Sequence, residues 1–338
     1  MSRSTKRITI MDVADYAGVT KTTVSRVLNN KGEISSETRA KVLTAVEKLG
    51  YRRSRIARSL ATDRTYLLGL IVPTIANEFF IEIVRGAEDT AWKNDYKILL
   101  CNTEGSWDRE QDMFLFLEDI QVDGIVVCSP RLPEDRLLPL VEQFQNVVVV
   151  NGQGLGWHDL AGAIRTDDEG GMAQVVNHLL NSGRHRLTYL GGPLDARTSI
   201  KRYYGFVNAL EKAGYASNPD WYTTCHPANL QGGYEAFKQL GSLLSDIDGV
   251  VCFNDQVAVG AIRACAELGI RVPDEIAITG CDDIQLATLV QPSLTTLQTP
   301  KQEVGALAVT MLLERISGQH KQETIIIEQR LIIRESAP

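Results

Sequence analysis

Residues 8–51, ITIMDVADYAGVTKTTVSRVLNNKGEISSETRAKVLTAVEKLGY, carry three helical periods in close succession. Thr9 and Asp12 form an S/T-x-x-D start signal, and Val13, Ala14 and Ala17 make one apolar stripe ending at Gly18, so the first helix is only about two turns long. After a tight A-G-V connection, Thr20 can cap a second helix in which Val24, Val27 and Leu28 repeat at three- and four-residue spacing. Ser35 or Ser36 can start a third helix through Leu49, with Val42, Ala45, Val46 and Leu49 closing a small core and Gly50 ending it. Two short helices about a glycine turn have helix-turn-helix spacing, although an ordinary three-helix bundle shares it. Chemistry favours the former. The remaining face of the second helix offers Lys21, Thr22, Thr23, Ser25, Arg26 and Asn29, which bind phosphates and donate to base edges, and no acidic residue lies between Tyr16 and Glu33.

Outside this head the charge reverses. Residues 1–64 hold 14 Lys/Arg against 6 Asp/Glu, a balance of +8, whereas the chain as a whole carries −7 and the remainder therefore −15. A short basic segment on an acidic body suits a polyanion-binding module joined to a part that must not itself adhere to polyanions. With 338 residues, 44% of them hydrophobic, the chain can bury more than one core. No uncharged apolar run approaches the roughly 18 to 20 residues of a membrane span, and MSRSTKRITI lacks the apolar stretch of a signal peptide, so a soluble, cytoplasmic protein without a membrane partner is expected. The six cysteines form no C-x-x-C pair and read as reduced, buried thiols.

The stretch 8–51 resembles the DNA-binding head of the lactose-repressor/galactose-repressor family, and the resemblance continues in order through the whole chain. It implies that the second helix reads the major groove through Thr20, Lys21, Thr22 and Arg26, with Asn29 and Thr38 near phosphates. Residues 52–63, RRSRIARSLATD, match the family's hinge helix, which folds on the operator. Arg55 then faces the DNA and Leu60 wedges between base pairs in the minor groove. Arg53 stands where many members have proline, and Ala61 where purine-repressor-like members have lysine, so the sequence departs from the family pattern at two positions of this segment.

From Tyr66 onward, short β-rich runs alternate with helical periods: LLGLIVP, YKILLC, GIVVCS and NVVVVN, then, after Gly162, RLTYLGG, DWYTTC, DGVVCFN and EIAITGCDD. This is parallel α/β architecture in two similar halves, giving two Rossmann-like lobes. The expected fold is an all-α helix-turn-helix head plus an α/β body, which by the resemblance has the periplasmic-binding-protein type I fold. The expected divisions are a head at 1–51, a hinge at 52–64 and a body at 65–338, with a first lobe at about 65–163 and 293–322 and a second at about 164–292 and 323–338. TTLQTP and TIIIEQRLIIR are expected to cross between lobes, allowing hinge closure.

Ligands of open α/β sheets sit beyond the carboxyl ends of strands. The residues there are Asn77 with Phe79 and Phe80, Asn151, Arg202, Asn254, Asp282 and Gln298, a hydroxyl-reading and ring-stacking set. Asn77 can also cap the helix that follows, one of the adjacent phenylalanines is expected in the core, and Asp283 is read as a helix cap. As a set they resemble the sugar sites of periplasmic binding proteins. The expected effector is a sugar, polyol, sugar acid or nucleoside.

Enzymatic signals are weak. N-G-Q-G-L-G-W at 151–157 follows a strand but spaces its glycines as G-x-G-x-G, and there is no G-x-S-x-G or G-x-x-x-x-G-K. The five histidines are never spaced as a metal pair, so neither a catalytic group, a metal nor a cofactor is expected. Asp167 and Asp168, beside Gly170 and Gly171, read as the start of the second lobe's first helix. Two readings remain: an effector-controlled homodimeric repressor of a palindromic operator, or a solute-binding protein or α/β enzyme with a basic tail. The helix-turn-helix favours the repressor.

Overall fold

The computed structural model describes residues 8–28, 32–51, 64–152, 160–216, 222–319 and 324–338. It divides into two units, Met1–Thr65 and Tyr66–Pro338.

In the first unit, helices span Ile10–Ala17, Lys21–Leu28 and Ser36–Leu49. Thr9 and Asp12 close a capping box, with the Thr9 amide donating to Asp12 Oδ2 at 2.7 Å. Thr20 Oγ1 accepts the Thr23 amide at 3.2 Å, and Ser35 rather than Ser36 caps the third helix. Gly18 (φ 66°) and Gly50 (φ 61°) end their helices in the left-handed conformation that a side chain would strain. Val13, Ala14, Val24, Val27, Val42 and Ala45 form the core.

The second unit holds two six-stranded sheets. The first contains β1 (Leu67–Val72), β2 (Lys97–Asn102), β3 (Gly124–Cys128), β4 (Val147–Val150), β5 (Gly162–Thr166) and β11 (Thr324–Ile327), in the order β11-β5-β4-β3-β1-β2 and wholly parallel. The second contains β6 (Leu187–Gly191), β7 (Tyr222–Thr224), β8 (Gly249–Cys252), β9 (Ala277–Asp282), β10 (Thr295–Gln298) and β12 (Arg330–Ile332), in the order β12-β10-β9-β8-β6-β7. Among the described residues, only β12 is antiparallel to its neighbour there. Near-continuous burial of β1, β3, β4, β8 and β9 reflects helices on both sheet faces.

Pairing corrects the expected lobe boundaries. β5, split by a boundary at 163/164, lies wholly in the first sheet. β10, expected in the first lobe, pairs with β9, and β11, expected in the second, pairs with β5. The chain thus crosses between lobes after Thr166, after Gln298 and after Ile327. The crossings are tied together: the Asp167 amide donates to the Ile327 carbonyl at 2.9 Å, and Gln329 Nε2 to Thr299 Oγ1 at 2.9 Å.

In the first lobe, the helices Glu78–Lys93 and Lys301–Ile316 touch backbone to backbone. A Cβ on Gly86 would collide with the Gln302 carbonyl, and one on Gly305 with that of Ile83. Because backbone cannot yield as a side-chain tip can, Gly305→Ala is expected to destabilise the body by about 1–3 kcal/mol. All four tryptophans lie in the body, so the urea midpoint of tryptophan fluorescence checks this, and an unshifted midpoint would refute it. The cysteines are buried and free, and burial pushes the thiols of Cys128, Cys225 and Cys265 up to about 12.

Candidate functional site

On the head, Val24 and Val27 turn inward, leaving Lys21, Thr22 and Arg26 exposed on the opposite face of the second helix. Thr20, also exposed, has its hydroxyl engaged with Thr23 Oγ1 at 2.9 Å. Thr38 is half-buried and accepts from Ser35 Oγ at 2.9 Å. Asn29, Arg55 and Leu60 lie outside the described residues.

In the body, a cavity of about 350 Å³ opens between the two sheets at the carboxyl ends of their strands. Asn77, Phe79, Phe80, Asn151, Arg202, Asn254 and Asp282 all line it. Asn77 Oδ1 caps the helix Glu78–Lys93 by accepting the Phe79 amide at 2.9 Å, so capping and lining coexist. Phe79 and Phe80 both reach the cavity and both join the core, contrary to the expected division of labour. Their rings meet edge to face, centroids 5.1 Å apart, the arrangement that the ring quadrupoles favour. Asn151, at φ 56°, accepts the Thr166 amide at 2.9 Å, fastening β4 to the first crossing. Asn254 caps the helix Asp255–Leu268 through Val257 N at 2.9 Å and donates to the Ala228 carbonyl at 3.2 Å, which leaves it largely a wall residue.

Gln298 does not line the cavity. Its Nε2 donates to Asp283 Oδ2 at 2.8 Å, while Asp283 Oδ1 is paired with Arg334 at 2.6 Å. This charged pair draws the amide away, and it also replaces the helix-cap role expected of Asp283.

Arg202 is the polar centre. It is 3% exposed, its Nε lies 2.9 Å from Asp168 Oδ1, its Nη1 donates to the Phe253 carbonyl at 2.6 Å, and its Nη2 approaches Asp282 Oδ1 at 3.4 Å. Burial opposes its charge, but Cys281, Asp168 and Asp282 outweigh burial and hold the guanidinium above its ordinary value. Asp168 stands at the first crossing, where its Oδ2 accepts from Thr166 Oγ1 at 3.1 Å. Asp282, at φ 115°, ends β9 in a conformation that L-residues rarely adopt. Burial pushes its carboxyl up to about 6, against the pull of Arg202 and Lys301.

Further lining residues escaped the sequence reading. Ser129 and Arg131 follow β3, Pro193, Asp195 and Thr198 follow β6, and His226 and Asn229 follow β7. The strand-end rule that found the others reaches all of these when applied to every strand.

The arrangement is a two-lobed ligand cleft of hydrogen-bonding and aromatic groups, in a chain that also carries a helix-turn-helix head. That combination defines a ligand-responsive transcriptional regulator. Residues 9–54 match the model for bacterial regulatory proteins of the lacI family, and 176–337 that for the periplasmic binding protein-like domain. The chain is 36% identical to the HTH-type transcriptional repressor PurR of Aliivibrio salmonicida, over 94% of this chain and 95% of that one. It is 33% identical to the HTH-type transcriptional regulator RegA of Clostridium saccharobutylicum, over 97% and 98%. Among solved structures, the Lac repressor dimer bound to operator and the anti-inducer ONPF superimposes with a TM-score of 0.89 at 25% identity, covering 98% of this chain and 99% of that one. The CelR–cellobiose complex gives 0.72 at 27% identity, covering 98% and 100%. The chain belongs to the lacI family: it is a DNA-binding transcriptional regulator with an effector-binding body, and its relatives are named as regulators rather than enzymes.

Proposed function

We propose that this protein is a cytoplasmic, homodimeric repressor of a palindromic operator, controlled by a small hydroxyl-bearing effector held between the lobes by Asn77, Phe79, Phe80, Asn151, Arg202 and Asp282. The observation that carries the effector reading is the interlobe cavity itself, with a buried Asp168–Arg202–Asp282 array at one wall and an aromatic pair at the other. A ring sugar presents an apolar face and a rim of hydroxyls, which is the complementary surface. The Lac repressor in its operator complex is a dimer, and CelR binds cellobiose; both support the same reading here. No helix among the described residues is long and apolar enough to cross a membrane.

On the DNA side, Thr20, Lys21, Thr22 and Arg26 of the second helix enter the major groove, with Asn29 and Thr38 at the backbone. Arg55 contacts the DNA, and the Leu60 wedge enters the minor groove. If the dimer neutralises about six to eight phosphates, log K falls with log salt at a slope of about −5 to −7. Arg26→Ala is expected to relax base preference and cost about 1–3 kcal/mol, measured by fluorescence anisotropy on palindromic duplexes. A slope near zero, or a monomer indifferent to every palindrome, refutes the operator reading. Effector control is tested by calorimetry with and without operator. Ligand and DNA affinities are coupled by about 1–3 kcal/mol in both directions, and ligand affinity identical in the two experiments removes the mechanism.

A further inference from the structure

The cavity has two arginines, and they differ in kind. Arg202 has three acceptors around its guanidinium. Arg131, on the loop after β3 in the opposite lobe, has none: its Nη1 is buried without a hydrogen-bond partner among the described residues. The position of the loop is fixed. Glu110, 2% exposed on the helix Trp107–Asp119, accepts the backbone amides of Arg131 at 2.8 Å and Leu132 at 3.2 Å. Glu110 therefore holds the main chain and makes no hydrogen bond to the guanidinium. Asp195, from the loop after β6 in the second lobe, lies near enough for its charge to be felt, yet no ion pair joins it to Arg131 among the described residues. Burial works against the Arg131 cation, with the Asp195 and Glu110 carboxylates only partly offsetting it.

A guanidinium is a permanent cation with five donors in a planar fork; Arg131 is half-buried, and leaving its Nη1 buried and unpaired is costly. The group that answers it best is a carboxylate, which accepts two parallel N–H bonds in the same plane. We propose that Arg131 is the anion-binding position of the effector cleft, and that the effector is a monosaccharide-sized sugar acid whose carboxylate lies between the lobes beside Arg131. This rests on the effector reading above and narrows it. The ligand's hydroxyls run toward Asp282 and Asn151, and its ring against Phe79 and Phe80. A cavity of about 350 Å³ is at the small end of ligand pockets, which typically run to about 1,000 Å³, and suits a single sugar ring. Asp195 faces the same guanidinium, so it competes with a ligand carboxylate. If instead it were Arg131's closing partner over a neutral ligand, removing its charge would weaken binding.

The test is calorimetry on the full chain with matched probes: glucuronate against glucose, galacturonate against galactose, and gluconate against glucitol. At least one acid is expected to bind about 30-fold or more tighter than its neutral counterpart. Arg131→Leu removes that preference, Arg131→Gln serves as a second variant should the first not fold, and Arg131→Lys retains part of it. Asp195→Asn leaves acid affinity unchanged or raises it. Three outcomes overturn the proposal: no acid binds, every neutral probe binds as tightly as its acid, or both Arg131→Leu and Asp195→Asn weaken a neutral ligand alike. Binding that Asp282→Asn weakens but Arg131→Leu leaves intact overturns the Arg131 assignment while keeping the cleft as the effector site. Binding that neither variant changes overturns both.

Discussion

Replacing Arg202 by methionine is expected to cost the body about 3–5 kcal/mol, the range for removing one partner from a buried ion pair. The substitution keeps most of the side-chain volume, so the loss is chiefly electrostatic. Asp168 at 2% exposed and Asp282 at 4% remain in place without the cation between them, and the Phe253 carbonyl loses its donor. Arg202→Lys recovers only part, because a single ammonium cannot reach three acceptors set around a planar fork. The variant should also depend on pH in a defined direction. Asp282, whose carboxyl is already raised to about 6, loses the cation that lowers it, so protonation then favours the folded state more strongly. Stability of the variant relative to the parent is therefore regained as pH falls and lost as it rises. Urea titrations followed by tryptophan fluorescence at pH 5 and pH 8 measure both effects. A shift under about 1 kcal/mol, or a deficit equal at the two pH values, would mean that the array is held by packing alone.

The parts of this site that sequence made legible share a cause. A parallel strand announces itself by a run such as VVVV, and the segment at and beyond its carboxyl end leads to the ligand edge of the sheet, so Asn77, Asn151, Arg202, Asn254 and Asp282 are legible in the sequence. Gln298 obeyed the same rule and failed, because its amide is captured by Asp283 and that carboxylate is set by Arg334, 51 residues away. Arg202's dependence on Asp168 is equally non-local, the two being brought together by helices Asp168–Asn181 and Arg197–Lys212 of the second lobe. Lobe membership was misread for a related reason. β10, TTLQ, has no alternating apolar face, since Thr295 and Thr296 are buried with their hydroxyls bonded to the Ala337 carbonyl and to Asp255. Hydrophobic periodicity locates elements but is silent on which sheet completes a polar strand. Arg131, by contrast, is legible by the same rule, since it follows the buried run GIVVC of β3.

Asp282→Asn is expected to weaken effector binding by about 1.5–3 kcal/mol while leaving operator affinity without effector unchanged, because the residue belongs to the ligand cleft. The substitution preserves shape and exchanges a charged acceptor for a neutral amide, so the change reports the charge. In the parent protein the same change occurs on titration. With its carboxyl at about 6, Asp282 is the charged acceptor above that pH and a neutral acid below it, so affinity is full near pH 7.5 and falls by up to about tenfold per pH unit below about 6. Acid unfolding through this group cannot mimic the effect. A folded-state value raised above the ordinary 3.8 means that protonation between the two favours the native state, so the body gains stability from Asp282 in the interval where it loses ligand. Calorimetry from pH 5 to pH 8 on parent and variant separates the possibilities. A pH-dependent parent beside a flat variant assigns the titration to Asp282. The same slope in both moves it to another group, and a flat parent means that the Asp282 carboxylate does not hold the ligand as an ion.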